Sequence, residues 1–168
     1  MRKYAVPLLL IGNGLLLASA WIAALYAFPR LPEKIPVWIN FLKGIPVVRE
    51  KSCVFYLYPL VQSLVFFVFL GLFRYLPPEK LLRVPSRRIV SDKIRRLLSE
   101  LKKEFILMIL IFINLVFIHI QTSLIFLAHR AEKGFNKLYF VSLFAIIIIL
   151  IPYYRFRAKL LAAKFLRM

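Results

Sequence analysis

The 168-residue chain is 62% hydrophobic with a mean hydropathy of +0.80, against roughly 45–50% apolar content in a soluble domain. Its formal charge is +18, from 25 Lys and Arg against 7 Asp and Glu; a basic nucleic-acid binder does not carry four long apolar runs, so no nucleic-acid partner is expected. The single cysteine, Cys53, excludes an intramolecular disulfide and a cysteine metal cluster.

The apolar runs are Tyr4–Phe28, Ser52–Leu76, Phe105–His129 and Leu138–Tyr154. A helix rises about 1.5 Å per residue, so roughly 20 apolar residues cross a hydrocarbon core about 30 Å thick. None of the runs alternates as a barrel strand does, and lipid admits only helices or closed barrels. The expected fold is all-α: one domain over 1–168, an integral membrane four-helix bundle with spans of about 4–28, 52–76, 105–129 and 138–154.

The first run begins after Met1-Arg2-Lys3 and contains Ala18-Ser19-Ala20, which also fits a secretory signal with a small-residue cleavage site. Its apolar stretch continues unbroken through Trp21–Phe28, longer than the roughly 7–15 residues of a signal. An uncleaved span is expected. Gly12, Gly14, Ala18, Ala20, Ala23 and Ala24 offer small residues for close helix contact.

The connection that follows holds four prolines, Pro29, Pro32, Pro36 and Pro46, which rule out a continuous helix. Residues before proline are driven to extended geometry, so Leu31, Ile35 and Ile45 should be extended. Gly44 marks a turn. Trp38, Ile39, Phe41 and Leu42 form an apolar set suited to the membrane interface or to capping helix ends; a docking surface for a peptide or protein is the functional alternative.

Leu31-Pro32, Ile35-Pro36 and Asn40, with Gly44 and Pro46 beyond, resemble the signature of a bacterial membrane family, domain of unknown function 1648, related to the N-terminal part of SdpI-type immunity proteins. The family pattern is approximately Leu-Pro-x-x-Ile-Pro-x-His-x-Asn, then Gly and Pro. Gly44 and Pro46 align after a one-residue insertion, and Trp38 stands where the family has His, so no role of that His carries over. The resemblance covers about 16 residues. It implies sensing or neutralising something at the outer face of the membrane, through partners.

Pro77-Pro78 close the second run. Over about 86–104, Val90, Ile94, Leu97, Leu98, Leu101 and Phe105 recur every three or four residues between basic ones. This predicts a basic amphipathic helix running directly into the third span. Arg87, Arg88, Lys93, Arg95, Arg96, Lys102 and Lys103 are expected to face a bilayer with anionic headgroups, each contributing about 1 kcal/mol there.

The third run gathers intramembrane polar residues: Asn114 and Gln121 on one helix face, His119 and Thr122 on a neighbouring one. Interhelical hydrogen bonding is their expected role. His129 lies about 15 Å along the axis from His119, so the two cannot share a metal within one chain. No Asp, Glu, Lys or Arg falls well inside a run, which argues against ion-coupled transport. After the fourth run, Arg155–Met168 mixes apolar and basic residues and reads as a separate interfacial helix.

Lys and Arg are distributed asymmetrically. Seventeen lie in the N-terminus, the second connection and the tail, and eight lie in the other two connections. The positive-inside rule then places both termini in the cytoplasm of a bacterial plasma membrane. No nucleophile elbow, phosphate loop or zinc-protease helix is present, so no enzyme activity and no cofactor are expected. The reading is an inner-membrane protein acting through partners, in sensing or toxin immunity; the alternatives are an assembly subunit and, more weakly, a small transporter.

Overall fold

In the computed structural model, residues 4–39, 46–84, 92–129 and 135–166 are described, with backbone alone for 164–166. The elements are α1 (Ala5–Ala27), β1 (Lys34–Ile39), β2 (Pro46–Glu50), α2 (Leu57–Tyr75), α3 (Pro78–Leu82), α4 (Asp92–Ala128) and α5 (Lys137–Leu166). Short 3-10 turns at Phe28–Arg30 and Cys53–Tyr56 join the hairpin to its flanking helices. Four of the helices are long and apolar enough to cross a membrane. They leave Leu8, Leu15, Ile22, Leu64, Phe67, Val141, Ile148 and Ile149 exposed. Apolar surface on this scale is stable against lipid tails and not against water, which marks these helices as candidate spans of a multi-pass membrane protein.

α4 is the central element. α1 runs parallel to it, with Asn13 against Leu107 and Asn114, and Ala20 beside Gln121. α2 and α5 run antiparallel to it, as Gln62–Asn114 with Phe73–Lys102, and Tyr139–His119 with Tyr154–Phe105, show. The bundle therefore has a hairpin end and a basic end. Pro7 and Pro59 stand third in α1 and α2, where an N–H would have no intrahelical acceptor, so neither breaks its helix.

The all-α bundle is as expected, with the proline-rich connection folded as a small two-stranded antiparallel hairpin. One expectation changes. The tail is not a separate interfacial helix: α5 passes through Pro152 and continues to Leu166. The reason is its packing. Tyr154, Ala158 and Ala162 close a buried cluster with Ile94, Leu98, Leu101 and Phe105 of α4, and with Leu82 and Val84. The apolar stripe of the basic helix thus meets the tail instead of lying only on lipid. That helix does run without a break into the third span, as one 37-residue α4; positions 86–91, with Arg87 and Arg88, lie outside the described residues.

The hairpin fills a specific gap. His119 of α4 is level with Asn136 and Tyr139 at the start of α5. Ala128 lies nine residues further, so about 13 Å of α4 projects past α5. β1 packs along that projection. Ile39 is buried with Val116, Ile120, Leu124 and Leu143, and Leu31 and Ile35 with Ala24, Phe55 and Ala128.

Candidate functional site

Three places carry polar or recognisable residues: the hairpin, a buried amide chain, and the basic end.

Proline shapes the hairpin. Lys34, Ile35 and Pro36 pair with Glu50, Arg49 and Val48, after which the register shifts and Trp38 pairs with Val47. Val37 is the extra residue of this bulge, and a bulged residue is left out of the ladder. Its carbonyl instead accepts the Tyr58 hydroxyl of α2 at 2.6 Å. The irregularity that Pro36 introduces therefore anchors the sheet to the bundle. Leu31 has ψ 144° and Ile35 lies in β1, both extended as residues before proline should be. Of the motif residues, Leu31, Ile35 and Pro36 are buried, Pro32 is exposed and Trp38 is half exposed. Pro46 opens β2. Asn40 and Gly44, with Phe41, Leu42 and Ile45, lie outside the described residues. Beside the hairpin, an apolar cavity of about 190 Å³ is lined by Val37, Trp38, Val54, Leu57, Tyr58, Val61 and Phe117.

The amide chain crosses three helices. Gln62 Nε2 donates to Asn114 Oδ1 at 3.0 Å, and Asn114 Nδ2 donates to Asn13 Oδ1 at 2.9 Å. Asn13 Nδ2 then donates to the carbonyls of Leu9 and Leu107. All three side chains are fully buried. A carbonyl only accepts, so the Leu107 oxygen fixes the direction of the whole chain. Reversing any amide would set oxygen against oxygen. The chain opens at Gln62 Oε1, which has no hydrogen-bond partner. About two turns further along the parallel pair, Gln121 Nε2 donates to the Ala20 carbonyl at 3.0 Å. Trp21 Nε1 donates to Ser63 Oγ, adding a link between α1 and α2.

Asn114 and Gln121 thus share the face turned to α1. His119 faces the start of α5: Nε2 is 3.1 Å from the Asn136 carbonyl, so it carries the proton there, and the ring lies against Phe135 and Tyr139. Thr122 Oγ1 bonds back to the Ile118 and His119 carbonyls of its own helix. The partners of Asn114 are Asn13 and Gln62, a pairing that the polar residues of the runs do not disclose by themselves. The signal for them is simple: each is an amide in an otherwise apolar run, one in α1 and one in α2.

At the basic end, Lys93, Arg95 and Arg96 are exposed, with Arg95 Nε 3.7 Å from Glu79. Lys103 pairs with Glu100 at 2.8 Å. Lys102 does not face lipid. It is 4% exposed, and its ammonium donates to the Phe73 and Leu76 carbonyls at 2.8 and 2.9 Å. Pro77 causes this. The Phe73 carbonyl would normally accept from the residue four positions on, and Pro77 has no N–H to give. Lys102, four residues after buried Leu98, supplies the missing donor and a positive charge at the C-terminus of α2. Nearby, Glu104 Oε1 accepts from Tyr154 and Arg157, both at 2.9 Å, joining α4 to α5.

Comparison with protein-family models, with curated proteins and with solved structures returns no match in any of the three.

Proposed function

We propose that this is a non-enzymatic protein of the bacterial plasma membrane that receives a partner at its hairpin, in a sensing or immunity role. The observation that carries this reading is the construction of the hairpin. Leu31, Ile35 and Ile39 fix it to the bundle, while Trp38 is 50%, Val47 44% and Val48 53% exposed. A rigid platform presenting apolar side chains and the outer edge of β2 suits an extended peptide or strand. The resemblance of Leu31, Pro32, Ile35 and Pro36 to the signature of domain of unknown function 1648 supports the same reading. The excess of Lys and Arg at the opposite end favours a cytoplasmic location for that end and for both termini, with the hairpin outside.

The second reading, an assembly subunit, draws on α5, whose Val141, Ile148, Phe156 and Leu160 are exposed. The transporter reading has less support, since Gln121 is already bonded to Ala20. A photo-crosslinking residue at Val48 and another at Ile148 separate the first two in living cells. Docking at the hairpin predicts a discrete adduct from position 48, lost on Trp38→Ala, and only lipid adducts from 148. A partner bound at fixed stoichiometry through 148, indifferent to Trp38→Ala, favours the subunit reading instead.

A further inference from the structure

The hairpin end also carries a basic concavity that partner docking does not use. A cavity of about 380 Å³ is lined by Arg30, Pro32, Lys34, Ala128 and His129. This is the lower range of small-ligand sites, and no carboxylate among the described residues lines it. Two of its basic groups are held in place before any ligand arrives. Arg30 Nη1 donates to the Tyr26 carbonyl at 2.9 Å, and its guanidinium lies 3.6 Å over the Tyr26 ring. His129 Nδ1 is 2.9 Å from the Ile125 carbonyl. That oxygen only accepts, so Nδ1 bears the proton and the Nε2 lone pair is left to accept, as from a P–OH or an alcohol of a ligand. Lys51, bonded to the Pro29 and Leu31 carbonyls, adds positive potential at the same turn.

Among the described residues the ion pairs are Arg95–Glu79, Lys103–Glu100 and Arg157–Glu104. All of these involve the basic end. Glu50 stands opposite Lys34 in the ladder but forms no ion pair with it, and among the described residues no carboxylate pairs with Arg30 or Lys34.

We infer that this cavity binds a phosphate group, carried either by a lipid headgroup or by a free solute. A pre-set guanidinium and an ammonium suit a compact anion with several acceptor oxygens. Phosphate binding there does not depend on the identity of any hairpin partner.

The test uses the full chain in detergent with two probes. Inorganic phosphate is titrated calorimetrically, and retention of phosphatidylglycerol over phosphatidylcholine is counted by native mass spectrometry. Arg30→Gln with Lys34→Gln should weaken binding at least tenfold, about 1.4 kcal/mol. The charge-matched pair Lys80→Gln with Lys159→Gln, exposed at the other end, should change it less than twofold. Lys34→Gln alone, on an exposed strand position, should give a clear partial loss in a protein whose fold is undisturbed. Retention of phosphatidylglycerol without phosphate binding assigns the site to a headgroup; phosphate binding assigns it to a free anion. Equal losses from both double variants, or no binding of either probe, would overturn the inference.

Discussion

Replacing Asn114 by leucine is expected to destabilise the bundle by about 1–3 kcal/mol, although the two side chains are similar in size. Asn114 is the middle of the amide chain, accepting from Gln62 and donating to Asn13. Interhelical hydrogen bonds in membranes average about 0.6 kcal/mol and reach about 1.7. Losing two of them also leaves Asn13 Oδ1 and the Gln62 amide unsatisfied inside the protein, a further penalty. Gln62→Leu behaves differently. It loses one bond but also deletes Gln62 Oε1, which is buried with no partner. Asn114 Oδ1 loses its donor in exchange, so the net effect should be the loss of one bond, about 0.6 kcal/mol, well below that of Asn114→Leu. Unfolding in mixed micelles measures both variants. Equal losses at the two positions would mean that the amides do not run from Gln62 through Asn114 to Asn13.

The second large effect is expected at Lys102. Lys102→Met should cost about 2 kcal/mol, whereas Lys103→Met should cost less than about 1. Hydrogen bonds from a charged group contribute about 1.5–3 kcal/mol, while exposed pairs such as Lys103–Glu100 contribute about 0.2–1. The cost of burying an ammonium reduces the first figure but does not cancel it, because without Lys102 the Phe73 carbonyl has no donor at all. Restoring an N–H there gives a direct check in the same micelle assay. Pro77→Ala should halve the penalty of Lys102→Met, and a penalty unchanged by Pro77→Ala would show that the capping explanation is wrong.

The four helices were legible because lipid burial demands length and apolarity, and little else in a sequence satisfies both. The unbroken passage from basic helix to third span was legible for a similar reason, since no Gly or Pro interrupts Leu97–Ile111. What escaped was pairing between distant segments. Four prolines announce that residues 29–46 are not helical, but strand pairing depends on the bulge at Val37 and on Tyr58, 21 residues away. The tail looked interfacial because its charges were visible and its partner stripe on α4 was not tied to it. Lys102 looked like one more surface cation. Its position four residues after Leu98 placed it on the buried stripe, but only the adjacency of α2 reveals the carbonyl that keeps it there. In the third span, the composition singled out Asn114, and the fold supplied its two partners from other helices.

Partner docking at the hairpin requires a bundle that lies across the membrane with the hairpin on its outer side. Cys53 is the sole cysteine, is exposed, and opens the turn between the hairpin and α2. A maleimide that cannot cross membranes, applied to intact bacteria stripped of their outer layers, reads its side directly. Labelling of Cys53 in these cells, abolished by Cys53→Ser, is the predicted result. Labelling only in inverted membrane vesicles, with none in intact cells, would contradict it.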